Sequence, residues 1–221
     1  MLRRCSATIV LACLGSAIAL GAETITFDAQ TVGGVPAGFS VALTGRGGAA
    51  VWQVQKALAG EPGNVVAQMS AERIDNRFPI LVYDKAAAID ADISVRFQVV
   101  SGSIDQAAGI VWRYRDANTY YVVRANALED NVVLYKVEAG VRTDLPVKGK
   151  GRTYGAQAPV LKKAWNILAV RARGALFAVS LNGMPLYEVE DSTFVAAGKI
   201  GLWTKADSVT LFKDLSIAVI K

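Results

Sequence analysis

From residue 23 onward, apolar and polar positions alternate with a period of two along most of the chain. Ile93, Val95, Phe97 and Val99 interleave with Ser94, Arg96 and Gln98, the pattern of a strand with one face in a core. Residues 109–114, 120–125, 132–137, 165–171 and 175–181 continue in this style, and 51–54 forms an earlier strand. Asp116-Ala117-Asn118 makes a turn, because short Asp and Asn side chains bond the nearby backbone. Asn182-Gly183 predicts a hairpin, since both residues tolerate positive φ. Strands at 199–204, 209–212 and 215–220 close the chain. Ala86–Ala91 reads as a single turn of helix, and no segment holds a helical period over three turns. Many short strands with turns every 8–12 residues or so predict an all-β sandwich or barrel. One domain over residues 23–221 accounts for the pattern.

The stretch 142–163 lacks a strand pattern. It sets Arg142, Lys148, Lys150, Arg152, Lys162 and Lys163 against Asp144 alone. It reads as a solvated basic loop on a sheet edge rather than a binding patch.

Residues 1–22 follow a different rule. Arg3 and Arg4 precede an apolar run from Ala7 to Leu20, which ends in small residues. This is the layout of a cleaved secretory signal peptide, with cleavage expected after Ala22 or, alternatively, Ala19. The run is shorter than the roughly 20 apolar residues that span a bilayer. Export to the periplasm or the medium is therefore expected. Cleavage removes Cys5 and Cys13, so the domain carries no disulfide. It also removes two arginines and lowers the net charge from +5 to +3. That charge is mildly attractive to anions but is not the footprint of a nucleic-acid binder.

The chain contains no histidine. Ser-His-Asp triads, Cys-His pairs and His-ligated metals are excluded, which leaves carboxylates, amines, hydroxyls, amides and rings. No cofactor motif is present. The glycine cluster 45–48 lacks the spacing of a phosphate-binding loop.

Residues 105–114, 118–126, 131–136 and 197–212 resemble the bacterial exported domains known as 3-keto-disaccharide hydrolase or family 16 glycoside hydrolase-like domains. These belong to the concanavalin A-like lectin/glucanase superfamily. The resemblance implies a jelly-roll sandwich of two curved antiparallel sheets with sugar-binding relatives. The E-x-D-x-x-E strand of the family 16 glucanases is absent. The nearest acidic run, Glu188-Val189-Glu190-Asp191, reads as a solvated strand end. Jelly rolls of this type also hold structural calcium, for which Asp28 and Asp214, next to the terminal strands, are the candidate carboxylates.

Alternation then assigns faces. Val111 and Arg113 share one face, and Tyr120, Val122, Arg124 and Asn126 share another. Lys199, Gly201, Trp203 and Lys205 form a third set. Arg113, Arg124, Asn126, Trp203 and Lys205, with Glu129 as a carboxylate partner, are the expected sugar-binding residues, combining an aromatic face with planar polar groups. The alternative is an internal Arg–carboxylate network that pins the sandwich. Expected functions are a non-catalytic carbohydrate-binding domain, a carboxylate-driven glycoside or 3-keto-glycoside hydrolase, or an envelope protein-interaction module of laminin-G type.

Overall fold

A computed structural model describes residues 21–58 and 60–220. The signal peptide expected at 1–22 lies outside these residues apart from Gly21 and Ala22. No helix occurs among the described residues, and two eight-stranded antiparallel sheets pack face to face.

Sheet A contains β1 (Glu23–Ile25), β3 (Trp52–Lys56), β4 (Asn64–Gln68), β6 (Asp90–Ser101), β12 (Asn166–Arg173), β13 (Leu176–Leu181), β14 (Met184–Glu190) and β16 (Val209–Ile220). Its order is β14-β13-β12-β6-β16-β4-β3, with β1 on the second half of β16. Sheet B contains β2 (Phe39–Gly45), β5 (Arg77–Ala88), β7 (Ala107–Asp116), β8 (Thr119–Asn126), β9 (Asn131–Glu138), β10 (Val141–Asp144), β11 (Ala156–Gln157) and β15 (Gly198–Trp203). Its order is β10-β9-β8-β7-β15-β5-β2, with β11 on β9. This is the all-β jelly roll that the sequence implied.

Alternation explains the main core. Ile93, Val95, Phe97 and Val99 of β6 meet Tyr121, Val123 and Ala125 of β8 between the sheets. Each such side chain contributes roughly 1.5–3 kcal/mol on full burial. Asn182 and Gly183 both hold positive φ between β13 and β14, as the hairpin requires. Two expectations are corrected. The 86–91 segment is strand at the junction of β5 and β6, not a helical turn. The 142–163 stretch contributes two short strands, β10 and β11, to sheet B.

Sheet B is buried on both faces. Tyr120 and Val122 alternate with Tyr121 and Val123, yet they too are fully buried, in a second cluster with Phe78, Ile80, Val133, Tyr135 and Trp203. The cause is curl. In a flat sheet β10 and β5, five steps apart, would be about 24 Å from each other at ~4.8 Å per strand. Instead the Arg142 guanidinium of β10 lies 4.8 Å from the Phe78 ring of β5. Thr44 of β2 likewise reaches the Tyr120 hydroxyl of β8 at 2.8 Å. Sheet B is rolled until side chains of each edge strand touch a strand on the opposite side of the sheet.

Candidate functional site

At one end of the rolled sheet the apolar filling gives way to charge. Trp203, Gly109 and Arg124 lie side by side on β15, β7 and β8. Gly109 is required there, because a Cβ would sit 2.9 Å from the Val123 carbonyl and 3.2 Å from the Trp203 ring.

Arg124 is fully buried. It donates to both oxygens of Glu129, at 3.3 and 3.1 Å, and to Asn131 Oδ1 at 2.7 Å. Asn131 in turn donates to Glu129 Oε2 at 2.9 Å. Burial opposes the Arg124 charge, but Tyr135 and the Glu129 carboxylate raise its pKa overall. Burial pushes the Glu129 pKa up, and Arg124 more than reverses this, so Glu129 is ionised and held below its ordinary range.

A second network adjoins the first. Asn126 Nδ2 donates to Asp105 Oδ1 at 2.6 Å. Lys205 Nζ lies 2.7 Å from Asp105 Oδ2 and 2.5 Å from Asp75 Oδ1. Burial lowers the Lys205 pKa, and the two carboxylates raise it further than burial lowers it. Asp105 is buried and its pKa is raised by desolvation, whereas Asp75 is solvent-facing and is held low by Lys205. Asp207 fixes the approach to β7 by accepting the N–H groups of Ser103, Ile104 and Asp105 at 2.8–3.1 Å.

Aromatic rings make the adjoining wall. Tyr135 donates its hydroxyl to the exposed Tyr154 at 2.9 Å. Burial drives the Tyr135 pKa strongly upward, so it stays a neutral donor. Trp203 stacks on Phe78 with centroids 5.3 Å apart. Arg142 caps this group, 4.5 Å from the Tyr135 centroid and 5.9 Å from that of Trp203.

Five of the six expected residues thus converge. Arg124, Asn126, Glu129, Trp203 and Lys205 belong to one connected end of the rolled sheet. Arg124, Asn126, Trp203 and Lys205 are buried and serve as support, while Glu129 reaches solvent. Arg113 is elsewhere, and its expected face is corrected. A bulge between Trp112 and Asp116, with Arg113 at φ 48°, turns its side chain into the space between the sheets. There it packs near Tyr121 and Phe177 and donates to the carbonyls of Ile89, Phe194 and Gly174 at 3.0, 2.6 and 2.5 Å. It lines a small cavity of about 140 Å³ together with Ile89, Ala175 and Val195.

Asp28 and Asp214 are engaged separately. Asp28 accepts the Asn64 N–H at 2.8 Å, and Asp214 pairs with Arg96 at 3.2 Å. Among the described residues, no group of three or more acidic, His or Cys side chains is gathered to hold a metal. Glu188 lines a groove of about 590 Å³ on the outer face of sheet A, and Glu190 pairs with Lys148 at 3.7 Å.

Asp75, Asp105, Asn131, Arg142, Tyr135 and Tyr154 were not anticipated as site residues. Asn131 was within reach of sequence reasoning, since the β8–β9 hairpin pairs it directly with Asn126. Arg142 was hidden in a run of solvated cations.

Curled sheet B packed on sheet A makes a jelly-roll sandwich of two antiparallel sheets. No protein-family model matches the chain, and no curated protein matches it in sequence. Solved structures do match in shape. The carbohydrate-binding module CBM66 from Bacillus subtilis is 18% identical, with a TM-score of 0.62 over 80% of this chain and 93% of that one. Domain 4 of AbnA, a GH43 extracellular arabinanase from Geobacillus stearothermophilus solved with arabinotriose, is 14% identical, with a TM-score of 0.53 over 92% and 93%. The Ca²⁺- and mannose-bound exoplasmic domain of VIP36 is 10% identical, with a TM-score of 0.54 over 88% of each chain.

Proposed function

We propose that this chain is an exported carbohydrate-binding jelly roll of the 3-keto-disaccharide hydrolase-like type, and that it holds its sugar at the charged mouth of sheet B. One observation carries the reading. Two solvent-reaching carboxylates, Glu129 and Asp75, are each fixed by a largely buried cation, and the cation that holds Glu129 lies 5.9 Å from the exposed Tyr154 ring. Fixed carboxylates accept sugar hydroxyls with little ordering cost, and a ring takes the apolar face. Solved neighbours that carry sugars or are named for binding them support the reading. The expected leader accords with a place outside the cytoplasm.

Hydrolysis is the second reading, favoured by Asp105, whose raised pKa suits a proton donor. Asp105 is only 1% exposed and lies beneath Lys205, out of reach of a glycosidic oxygen, so the geometry supports binding first. Calorimetric titration of the purified chain with a broad oligosaccharide panel tests the proposal. Heat of binding that Glu129→Gln abolishes is the expected result. No binding to any sugar would overturn it, and turnover of an oxidised disaccharide would move the chain to the enzymes.

A further inference from the structure

Arg142 stands apart from the other cations of the site. Arg124 and Lys205 each have a carboxylate within 3.1 Å. Arg142 forms no ion pair within 4 Å among the described residues, and its Nη1 is buried with no hydrogen-bond partner. Aromatic faces hold it instead: Tyr135 at 4.5 Å, Phe78 at 4.8 Å and Trp203 at 5.9 Å. Stacking fixes a guanidinium while leaving its planar donor edge uncommitted. The side chain is part-exposed, and the Tyr135 ring it stacks on also lies 5.8 Å from the Arg124 guanidinium and hydrogen-bonds the exposed Tyr154.

We infer that Arg142 selects an acidic saccharide by pairing its guanidinium with a sugar carboxylate. The inference rests on the sugar-binding reading above and narrows its ligand class. A carboxylate matches the fork of the guanidinium and supplies the acceptor that Nη1 lacks. Nη1 must turn outward to meet the ligand, which breaks no existing hydrogen bond to protein but gives up part of the ring stacking, so the new ion pair has to outweigh that loss. The exposed Lys150 on the following loop adds an attractive field for such a ligand, Lys148 being paired with Glu190.

The test is titration of the full chain with galacturonic, glucuronic and mannuronic acid trimers and with their neutral hexose counterparts. The wild type is expected to bind at least one acidic trimer about tenfold or more tighter than its neutral twin. Arg142→Gln is expected to erase that preference, and raised salt to weaken it. The melting temperature of Arg142→Gln is measured alongside, and Arg142→Lys, which keeps the charge but not the fork, should retain part of the preference. Equal binding of neutral and acidic sugars, unchanged in Arg142→Gln, overturns this inference and leaves the sugar site standing. Binding of neither kind overturns both.

Discussion

Replacing Arg113 with Met separates the two roles assigned to arginine in this chain. The side chain ties together three segments distant in sequence by donating to Ile89, Phe194 and Gly174. Met keeps most of the apolar volume against Tyr121 and Phe177 but removes every donor. The Phe194 carbonyl is bonded in a buried setting and has no evident replacement, which costs about 1–3 kcal/mol. The carbonyls of Ile89 and Gly174 lie on turns where water can reach them, so each adds roughly 1 kcal/mol or less. Relief from burying the guanidinium offsets part of the loss. The net expectation is about 3 kcal/mol, or roughly a 6–12 °C drop in Tm for a domain of this size. Thermal unfolding followed by circular dichroism reads this directly, and sugar titration of the folded variant should match wild type. A Tm within about 2 °C of wild type would refute the clamp. So would a folded variant that had lost sugar binding.

Five further outcomes are expected. Gly198→Ala should cost about 3 kcal/mol or more, or prevent folding, because the new Cβ would overlap the Arg113 carbonyl carbon and lie 2.7 Å from Tyr114 N; soluble yield and circular dichroism check it. Asp207→Asn should destabilise by about 2–3 kcal/mol in denaturant titration, since an amide cannot accept from Ser103, Ile104 and Asp105 through both positions. Glu129, Asp191 and Asp207 have folded pKa values below the ordinary range, so their stabilisation is present above about pH 4 and fades as pH falls through the lowered values. Asp105 has the opposite sign. Its pKa is raised, so Asp105→Asn should gain stability relative to wild type as pH rises from about 4 to 7, measured by denaturant midpoints across that range. Finally, calcium and a chelator should leave Tm equal, because Asp28 and Asp214 already have separate protein partners.

Strand alternation made most of the fold legible. On β8 the pleat is regular, so alternation puts Arg124 and Asn126 on one face, and on β15 it is regular from Gly201 onward, so Gly201 and Trp203 share a face, whereas a register shift separates Lys199 from them. On β7 the same rule failed at a single residue. The φ of 48° at Arg113 inserts a bulge, and beyond it Tyr114 takes the outer face beside Tyr120. Nothing local in Trp112-Arg113-Tyr114 marks that change. Its sign is distant, in Gly198, whose missing Cβ lets the bulged backbone approach. Asp75 and Asp105 were illegible for a related reason. They sit in loops and meet Lys205 only because β5, β7 and β15 are neighbours in the sheet. Arg142 shows the limit of reading charge runs, since an Arg among exposed lysines has the same sequence context whether its stem reaches water or a stack of rings.

The roll of sheet B also constrains the order in which the chain folds. Hairpins such as β8–β9 and β13–β14 pair segments close in sequence and form early, on the microsecond scale typical of hairpins. The contacts that close the roll cannot. Thr44 meets Tyr120 across 76 residues, and Arg142 must find Phe78 and Trp203 on strands contributed by both halves of the chain. Loop-closure entropy makes such pairings late and slow, in the millisecond-to-second regime of non-local β topologies. The charged mouth is assembled in the same event, because its residues come from the loops and strand ends that the roll brings together. Recovery of buried Trp203 fluorescence during refolding should therefore coincide with recovery of sugar binding, after most of the strand signal has returned.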